Sequence, residues 1–196
     1  MILLPDTYWE IRNTSKKGLG VFAKKPILKG SVIGDYRGKV LRPQDAIVDE
    51  NNFYLMYYHD QAVITPDLEK PGVHLLNHSC VPNTFLYIYK GHSLAFTRRN
   101  IAGGEEITIS YLLSPKDSSC KPCQHICTCG DVSCTKTMHL SKEKYNRWRT
   151  FIDVQAKKTK KERIQYGKDL SLLSSYPKKV PTEYIEEINT LFSFPV

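Results

Sequence analysis

The residues of this 196-residue chain with chemical potential are an Asn-His pair, a late Tyr and six cysteines. Leu76-Asn77-His78-Ser79-Cys80 sets polar side chains directly after an apolar pair. Gly104-Glu105-Glu106-Ile107-Thr108-Ile109-Ser110-Tyr111 ends a strand-like run on a phenol. Polar groups in apolar surroundings require hydrogen-bond partners, so both islands read as parts of a site rather than as packing. Five of the six cysteines fall between residues 120 and 134. Thiolates at such spacing suit a closed, tetrahedral Zn²⁺ site with Zn–S near ~2.3 Å. Cys127, Cys129 and Cys134 supply three ligands. Cys80 could complete the set by stapling the tail across the strand-rich part. Cys120 and Cys123 form a Cys-x-x-Cys that could instead complete a local knuckle.

Other candidates carry weaker signals. Gly18-Leu19-Gly20 allows close backbone approach to a ligand, yet no helical pattern follows, which excludes a dinucleotide fingerprint. Tyr36 closes an apolar strand, a position open to packing or to chemistry. Glu105 and Glu106 are adjacent on a strand-like run and point to opposite faces, so they read as the turn leading into the strand rather than an acid/base pair. Asn13 and Asn77 begin glycosylation sequons, but the chain carries no export signal.

The elements that must position these residues are short strands punctuated by Gly and Pro. Candidates are Trp9–Arg12, Val21–Ala23, Val32–Tyr36, Tyr54–Tyr58, Ala62–Ile64, Thr84–Tyr89, Leu94–Thr97 and Ile107–Ser110. A short helix is expected within Pro43–Asn51. Near residue 114 the composition turns to Ser, Pro, Lys and Cys. Beyond 140 it becomes helical: Ser141 is a candidate N-cap, followed by Tyr145, Trp148 and Ile152 on one face. Pro181-Thr182 opens a second helix, whose stripe of Tyr184, Ile185, Ile188, Leu191 and Phe192 should dock on the sheet.

No apolar run approaches the ~20 residues of a membrane span, and clustered cysteines without an export signal favour metal ligation over disulfides. An intracellular setting follows, nuclear or cytoplasmic, or the interior of a host cell if the chain is microbial and delivered there. The net charge of +8 is uneven, with 14 Lys/Arg against 12 Asp/Glu over 1–119 and 14 against 8 over 120–196. The basic C-terminal part could make non-specific contact with nucleic acid, or be a solvated helical face. Lys157 to Lys161 has the composition of a nuclear address.

Gly-x-Gly, Tyr-x-Gly, Asn-His-Ser-Cys-x-Pro-Asn, Gly-Glu-Glu-x-x-x-x-Tyr and Cys-x-Cys-x4-Cys occur here in that order. The ordered set resembles the SET-domain protein lysine methyltransferases with a post-SET zinc motif, over about residues 7–140. The resemblance implies a mainly β fold with α additions, built of small curled sheets with a knot-like core. It divides the chain into a SET domain (1–119), a post-SET zinc segment (120–140) and a helical C-terminal extension (141–196). It further implies binding of S-adenosylmethionine by Gly18, Leu19, Gly20, Asn77, His78 and Tyr111, with Met138 and Leu140 as a lid over the adenine. Tyr111 and Tyr36 match the catalytic pair, and Cys80, Cys127, Cys129 and Cys134 match the zinc ligands. The implied substrate is a lysine-bearing protein, typically a histone tail. Acidic Asp45, Asp49, Glu50 and Asp60 lie in the region resembling the substrate-contacting insert. Ile109 stands where the family sets channel width, and a small apolar residue there favours di- or trimethylation. Two other readings stay open: a catalytically inactive SET-like interaction module and a zinc-containing nucleic-acid binder.

Overall fold

In the computed structural model, residues 1–46, 54–59, 62–118, 120–158 and 166–194 are described. Among the described residues ten short strands make three small sheets, because Gly and Pro interrupt the Val-, Ile- and Tyr-rich runs every few residues. The first sheet joins β1 (Trp9–Asn13), β2 (Leu19–Ala23), β10 (Glu106–Ile109) and the two-residue β7 (Asn77–His78), in the order β1-β2-β10-β7. The β1–β2 hairpin turns at Gly18, whose φ of +69° suits a residue without a Cβ.

The second sheet is β3 (Val32–Asp35), β9 (His92–Thr97) and β8 (Thr84–Tyr89), with β9 central and entirely buried. The third is β4 (Gly38–Leu41), β6 (Ala62–Pro66) and β5 (Met56–His59). All eight expected strands are present, with ends shifted by at most two residues. β4 and β7 are additional. Within Pro43–Asn51 a single 3₁₀ turn, Pro43–Asp45, stands where a helix was expected, and residues 47–51 lie outside the described residues.

Helix α1 (Lys142–Lys158) starts where the Ser141 hydroxyl accepts the amide of Lys144 at 3.2 Å, an N-cap worth about 1 kcal/mol. The run from Lys157 to Lys161 lies at the end of α1, and its last three residues are outside the described set. α2 (Thr182–Phe192) buries Tyr184, Ile185, Ile188 and Phe192. Both helices pack on the second sheet. Trp148 meets Phe85 edge-on at 5.4 Å, Phe192 lies 5.1 Å from the same ring, and the Tyr184 hydroxyl donates to Leu86 O at 2.8 Å. Truncating a ring such as Phe85 in this cluster costs about 3–5 kcal/mol.

Residues 166–181, ahead of α2, are laced to the strands. Val32 N donates to Lys178 O at 3.0 Å and Leu170 N to Gly38 O at 2.9 Å. The Tyr176 hydroxyl and His92 Nδ1 both reach Asp35 Oδ2 at 2.8 Å in the interior, which pairs that oxygen, while Oδ1 is buried without a partner. Residues 141–158 and 166–194 therefore share a core with the strands. The sequence texture, which changes sharply at 114 and 140, hides this.

Candidate functional site

The two polar islands of the sequence lie side by side. β7 and β10 pair in parallel, Thr108 opposite Asn77 and Ile109 opposite His78, and Ser79 N extends the ladder to Ile109 O at 3.0 Å. Asn83, only 1% exposed, locks the crossing. Its Nδ2 donates to Glu105 Oε1 (2.9 Å) and Glu106 O (2.7 Å), while its Oδ1 accepts Thr108 N (2.8 Å). Thr84 Oγ1 adds a bond to Thr108 O at 2.7 Å. A buried amide satisfied on both ends by a second segment holds the two chains in one register.

Next to this crossing, Asn77 Nδ2 donates to Leu19 O at 3.0 Å and Glu106 Oε1 at 2.9 Å. Both partners are acceptors, which fixes the amide orientation and leaves Oδ1 as an acceptor. Glu106 Oε2 pairs with Lys17 Nζ at 2.5 Å. Gly20 is required here: a Cβ at this position would stand 2.7 Å from Asn77 Nδ2 and 2.9 Å from Glu106 Oε1. At Gly18 the same direction opens into empty space. Leu19 and Gly20 of β2 thus meet Asn77 of β7 beside β10, with Gly18 just before them.

Tyr111 leaves the end of β10 against His78. Its backbone N–H donates to His78 Nδ1 at 3.2 Å, and the rings meet edge-on at 5.3 Å. Burial lowers the His78 pKa to about 4, with the Lys17 charge adding to the effect, so the ring is neutral at pH 7. With Nδ1 accepting, the proton sits on Nε2, which faces Cys80 Sγ at 3.7 Å. Burial also raises the Tyr111 pKa to about 12, with Tyr54 contributing. Yet Tyr111 keeps 38% of its surface accessible: a phenol in dense surroundings with an open edge. Tyr36 donates its hydroxyl to Tyr54 O, and burial followed by the neighbouring Tyr111 and Tyr54 phenols drives its pKa upward. At neutral pH both phenols are hydrogen-bonding groups and not bases.

The Cys80, Cys127, Cys129 and Cys134 sulfurs all lie within 4.8 Å of one another. Cys80 Sγ is 3.5 Å from Cys127 Sγ and 3.9 Å from Cys134 Sγ. A tetrahedron with Zn–S near 2.3 Å has S···S edges of about 3.8 Å, so these thiols fit a zinc ion. Cys80, rather than Cys120 or Cys123, is the fourth member of this group.

Residues 18–112 match the family model described as SET domain. That stretch of the chain is a SET domain. Among relatives, it is 29% identical over 134 residues to "Histone H3-lysine(4) N-trimethyltransferase ATX1" of Arabidopsis thaliana, covering 57% of this chain and 13% of that protein. It is 30% identical over 137 residues to "Histone-lysine N-methyltransferase, H3 lysine-36 specific" of Debaryomyces hansenii, covering 64% and 18%. It is 28% identical over 149 residues to "Probable histone-lysine N-methyltransferase set-23" of Caenorhabditis briggsae, covering 67% and 61%. The chain thus spans under a fifth of the first two relatives. Among solved structures, KRYPTONITE in complex with mCHH DNA, H3(1-15) peptide and SAH superposes with a TM-score of 0.55 at 28% identity. That alignment covers 67% of this chain and 29% of that one.

Within this SET domain, Gly18–Gly20, Asn77, His78, Tyr111 and Tyr36 converge, and the His78–Cys80 contact joins them to the four thiols. Met138 and Leu140 connect to Tyr111 less directly. Met138 N donates to His125 O, Leu140 N donates to Leu113 O, and the Leu140 side chain packs on the Phe85–Trp148 cluster. Ile109 is buried beside Val21 and Ile107, in the cluster against which Tyr36 packs. Of the acidic insert residues, Asp45 closes the 3₁₀ turn, while Asp49, Glu50 and Asp60 lie outside the described residues.

Sequence alone does not reveal the roles of Glu106 and Asn83, both inside the motifs above, or of Lys17, Tyr54, His125 and His139. Glu106 was read with Glu105 as a turn. That holds for Glu105, which pairs with Arg99 and accepts Ala102 N, whereas Glu106 belongs to the Asn77 network. Asn83 had a signal: a polar amide before an apolar strand, six residues past Asn77.

Proposed function

We propose that this chain is an S-adenosylmethionine-dependent methyltransferase acting on the ε-amine of lysine in a protein, with a histone tail as substrate. One observation carries the reading. Tyr111 stands with its backbone on His78, its phenol beside Tyr36 and Tyr54, and an open edge, at the point where the two polar segments cross.

The residues present fit the cofactor. The open space at Gly18 leaves room for a ligand, the backbone of Leu19 and Gly20 and the Oδ1 of Asn77 offer polar contacts to an amino-acid group, and the His78 backbone follows Asn77 in β7. When bound, S-adenosylmethionine supplies an electrophilic methyl group on a sulfonium. The chain's part is alignment and desolvation. Holding amine and methyl in line can contribute roughly 7–11 kcal/mol. A free lysine has a pKa near ~10.4, and the burial that raises the Tyr36 and Tyr111 phenols disfavours its ammonium form. With phenol pKa values so high, Tyr111 and Tyr36 orient the amine as hydrogen-bonding groups; proton loss goes to solvent.

Cys80, Cys127, Cys129 and Cys134 would hold a structural Zn²⁺, fastening the 127–134 loop to the strand segment that carries Asn77 and His78. Met138 and Leu140 follow that loop as the adenine lid. The names of the curated relatives and the H3 peptide in the KRYPTONITE complex support a histone substrate and a nuclear site of action. Contact with nucleosomal DNA through the basic 120–196 part follows from its charge.

The test is incubation of the purified chain with methyl-labelled S-adenosylmethionine and core histones, followed by mass spectrometry. Label on a lysine ε-amine is the expected result. Label absent from every histone, with no calorimetric cofactor binding, would refute the reading. A small apolar Ile109 implies that products advance to di- or trimethyl-lysine.

A further inference from the structure

A second group of metal-ligating side chains lies outside the thiol cluster described above. Cys120, Cys123, His125 and His139 place one ligand atom each within 4.8 Å of one another, all four half-buried. Cys120 Sγ is 3.6 Å from His125 Nδ1 and 3.4 Å from His139 Nε2, and Cys123 Sγ is 3.5 Å from His139 Nε2. With Zn–S near ~2.3 Å and Zn–N near ~2.0 Å, a tetrahedral site has S···N edges of about 3.5 Å. All three measured edges lie within about 0.1 Å of that value.

The histidine chemistry points the same way. His139 Nδ1 lies 2.6 Å from Ser114 O, which can only accept, so the ring proton is on Nδ1. Nε2 then carries a lone pair, and it faces both thiols. A ligating imidazole is commonly fixed through its other nitrogen by a backbone carbonyl in this way. The two rings meet edge-on at 88° with centroids 4.9 Å apart, an arrangement in which two lone pairs can converge on one point. The hairpin joined at Ile126 and Thr137 brings His125 beside His139, with Met138 N donating to His125 O at 2.9 Å. Two thiolates with two imidazoles in tetrahedral array select zinc over hard, oxygen-seeking cations.

We infer that Cys120, Cys123, His125 and His139 bind a second, structural Zn²⁺. The site clamps the segment that follows Tyr111 onto the hairpin that precedes α1. His139 lies between Met138 and Leu140, its ring bonds Ser114, and Leu113 pairs with it in a parallel bridge. Two metal sites on one loop-rich segment explain how residues 120–140 hold a fixed path with almost no strand or helix of their own.

The test is the zinc content of the full chain, purified under reducing conditions without chelator, by plasma mass spectrometry. About two zinc ions per chain are expected. Cys120→Ser with Cys123→Ser should leave about one, as should Cys127→Ser with Cys129→Ser. X-ray absorption at the zinc edge of the unaltered chain needs no variant and should give an average shell of about three sulfurs and one nitrogen. One zinc per chain in an all-sulfur shell would overturn the inference, as would unchanged zinc content in the Cys120/Cys123 variant. Neither readout depends on methyl transfer.

Discussion

The imidazole of His78 accepts the backbone N–H of Tyr111 at 3.2 Å on one nitrogen and faces the Cys80 sulfur at 3.7 Å on the other. One buried ring thus connects the proposed catalytic phenol to the thiol cluster. Replacing His78 by Ala removes the acceptor and frees the Tyr111 backbone, and misplacement by ~1 Å can cost about 100-fold in rate. The expected outcome is a kcat lowered 10- to 100-fold with KM for the peptide little changed. His78→Asn, which keeps an acceptor near the Nδ1 position, should recover part of it. Steady-state kinetics on the three proteins checks this; equal kcat values would show that the contact positions nothing.

Gly20 sits where a methyl group would strike Asn77 Nδ2 and Glu106 Oε1. Gly20→Ala should push the Asn77 amide out of place and weaken S-adenosylmethionine binding by about tenfold, roughly 1.4 kcal/mol. Calorimetric titration measures it. Thermal stability should fall less, since the Lys17–Glu106 pair at this edge can shift toward solvent.

Asn83 should matter for folding rather than for affinity. Asn83→Ala leaves Thr108 N and Glu106 O without their partner in the interior, a loss of about 3 kcal/mol. For a chain of this size that lowers Tm by roughly 6–12 °C. A melt within 2 °C or so of the parent would mean that the crossing is held elsewhere.

How much of this was legible before the fold was known divides along physical lines. Strands such as Thr84–Tyr89 announce themselves because β-branched and aromatic residues run unbroken between turns. β7 does not, because it is two polar residues paired to a distant segment, and its strand character comes from Thr108 and Ile109 across the ladder. β4 hides for a related reason: Gly38 and the exposed Lys39 dilute its pattern, and pairing to β6 makes the strand. Asn77, His78 and Tyr111 stood out as polar residues in apolar company, and the structure brings them together. Glu106 and Asn83 did not, since their roles depend on where a chain folds back. For the metal clusters, thiol spacing pointed to zinc, but Cys80 joined Cys127 only through tertiary structure. His125 and His139 drew no notice, although Cys120-x-x-Cys123-x-His125 was readable as a ligand run.

Acid should weaken the fold through His74. Burial against Tyr54 lowers its pKa to about 4. The unfolded chain, with a pKa near ~6.5, takes up this proton first, so stability is full above pH 6.5 and falls as pH drops toward 4. The contribution is at most about 3 kcal/mol. Urea unfolding between pH 4 and 7 should show His74→Gln with a flatter acid limb than the parent. Parallel curves would assign the acid sensitivity to other groups.

The most direct measurement is methyl transfer and cofactor binding by Tyr111→Phe beside the parent. The parent should methylate a histone lysine, and the variant should lose turnover by at least 100-fold or so while binding S-adenosylmethionine within a few-fold of the parent. Full activity in Tyr111→Phe would contradict the proposed role of the phenol at the crossing of the two polar segments.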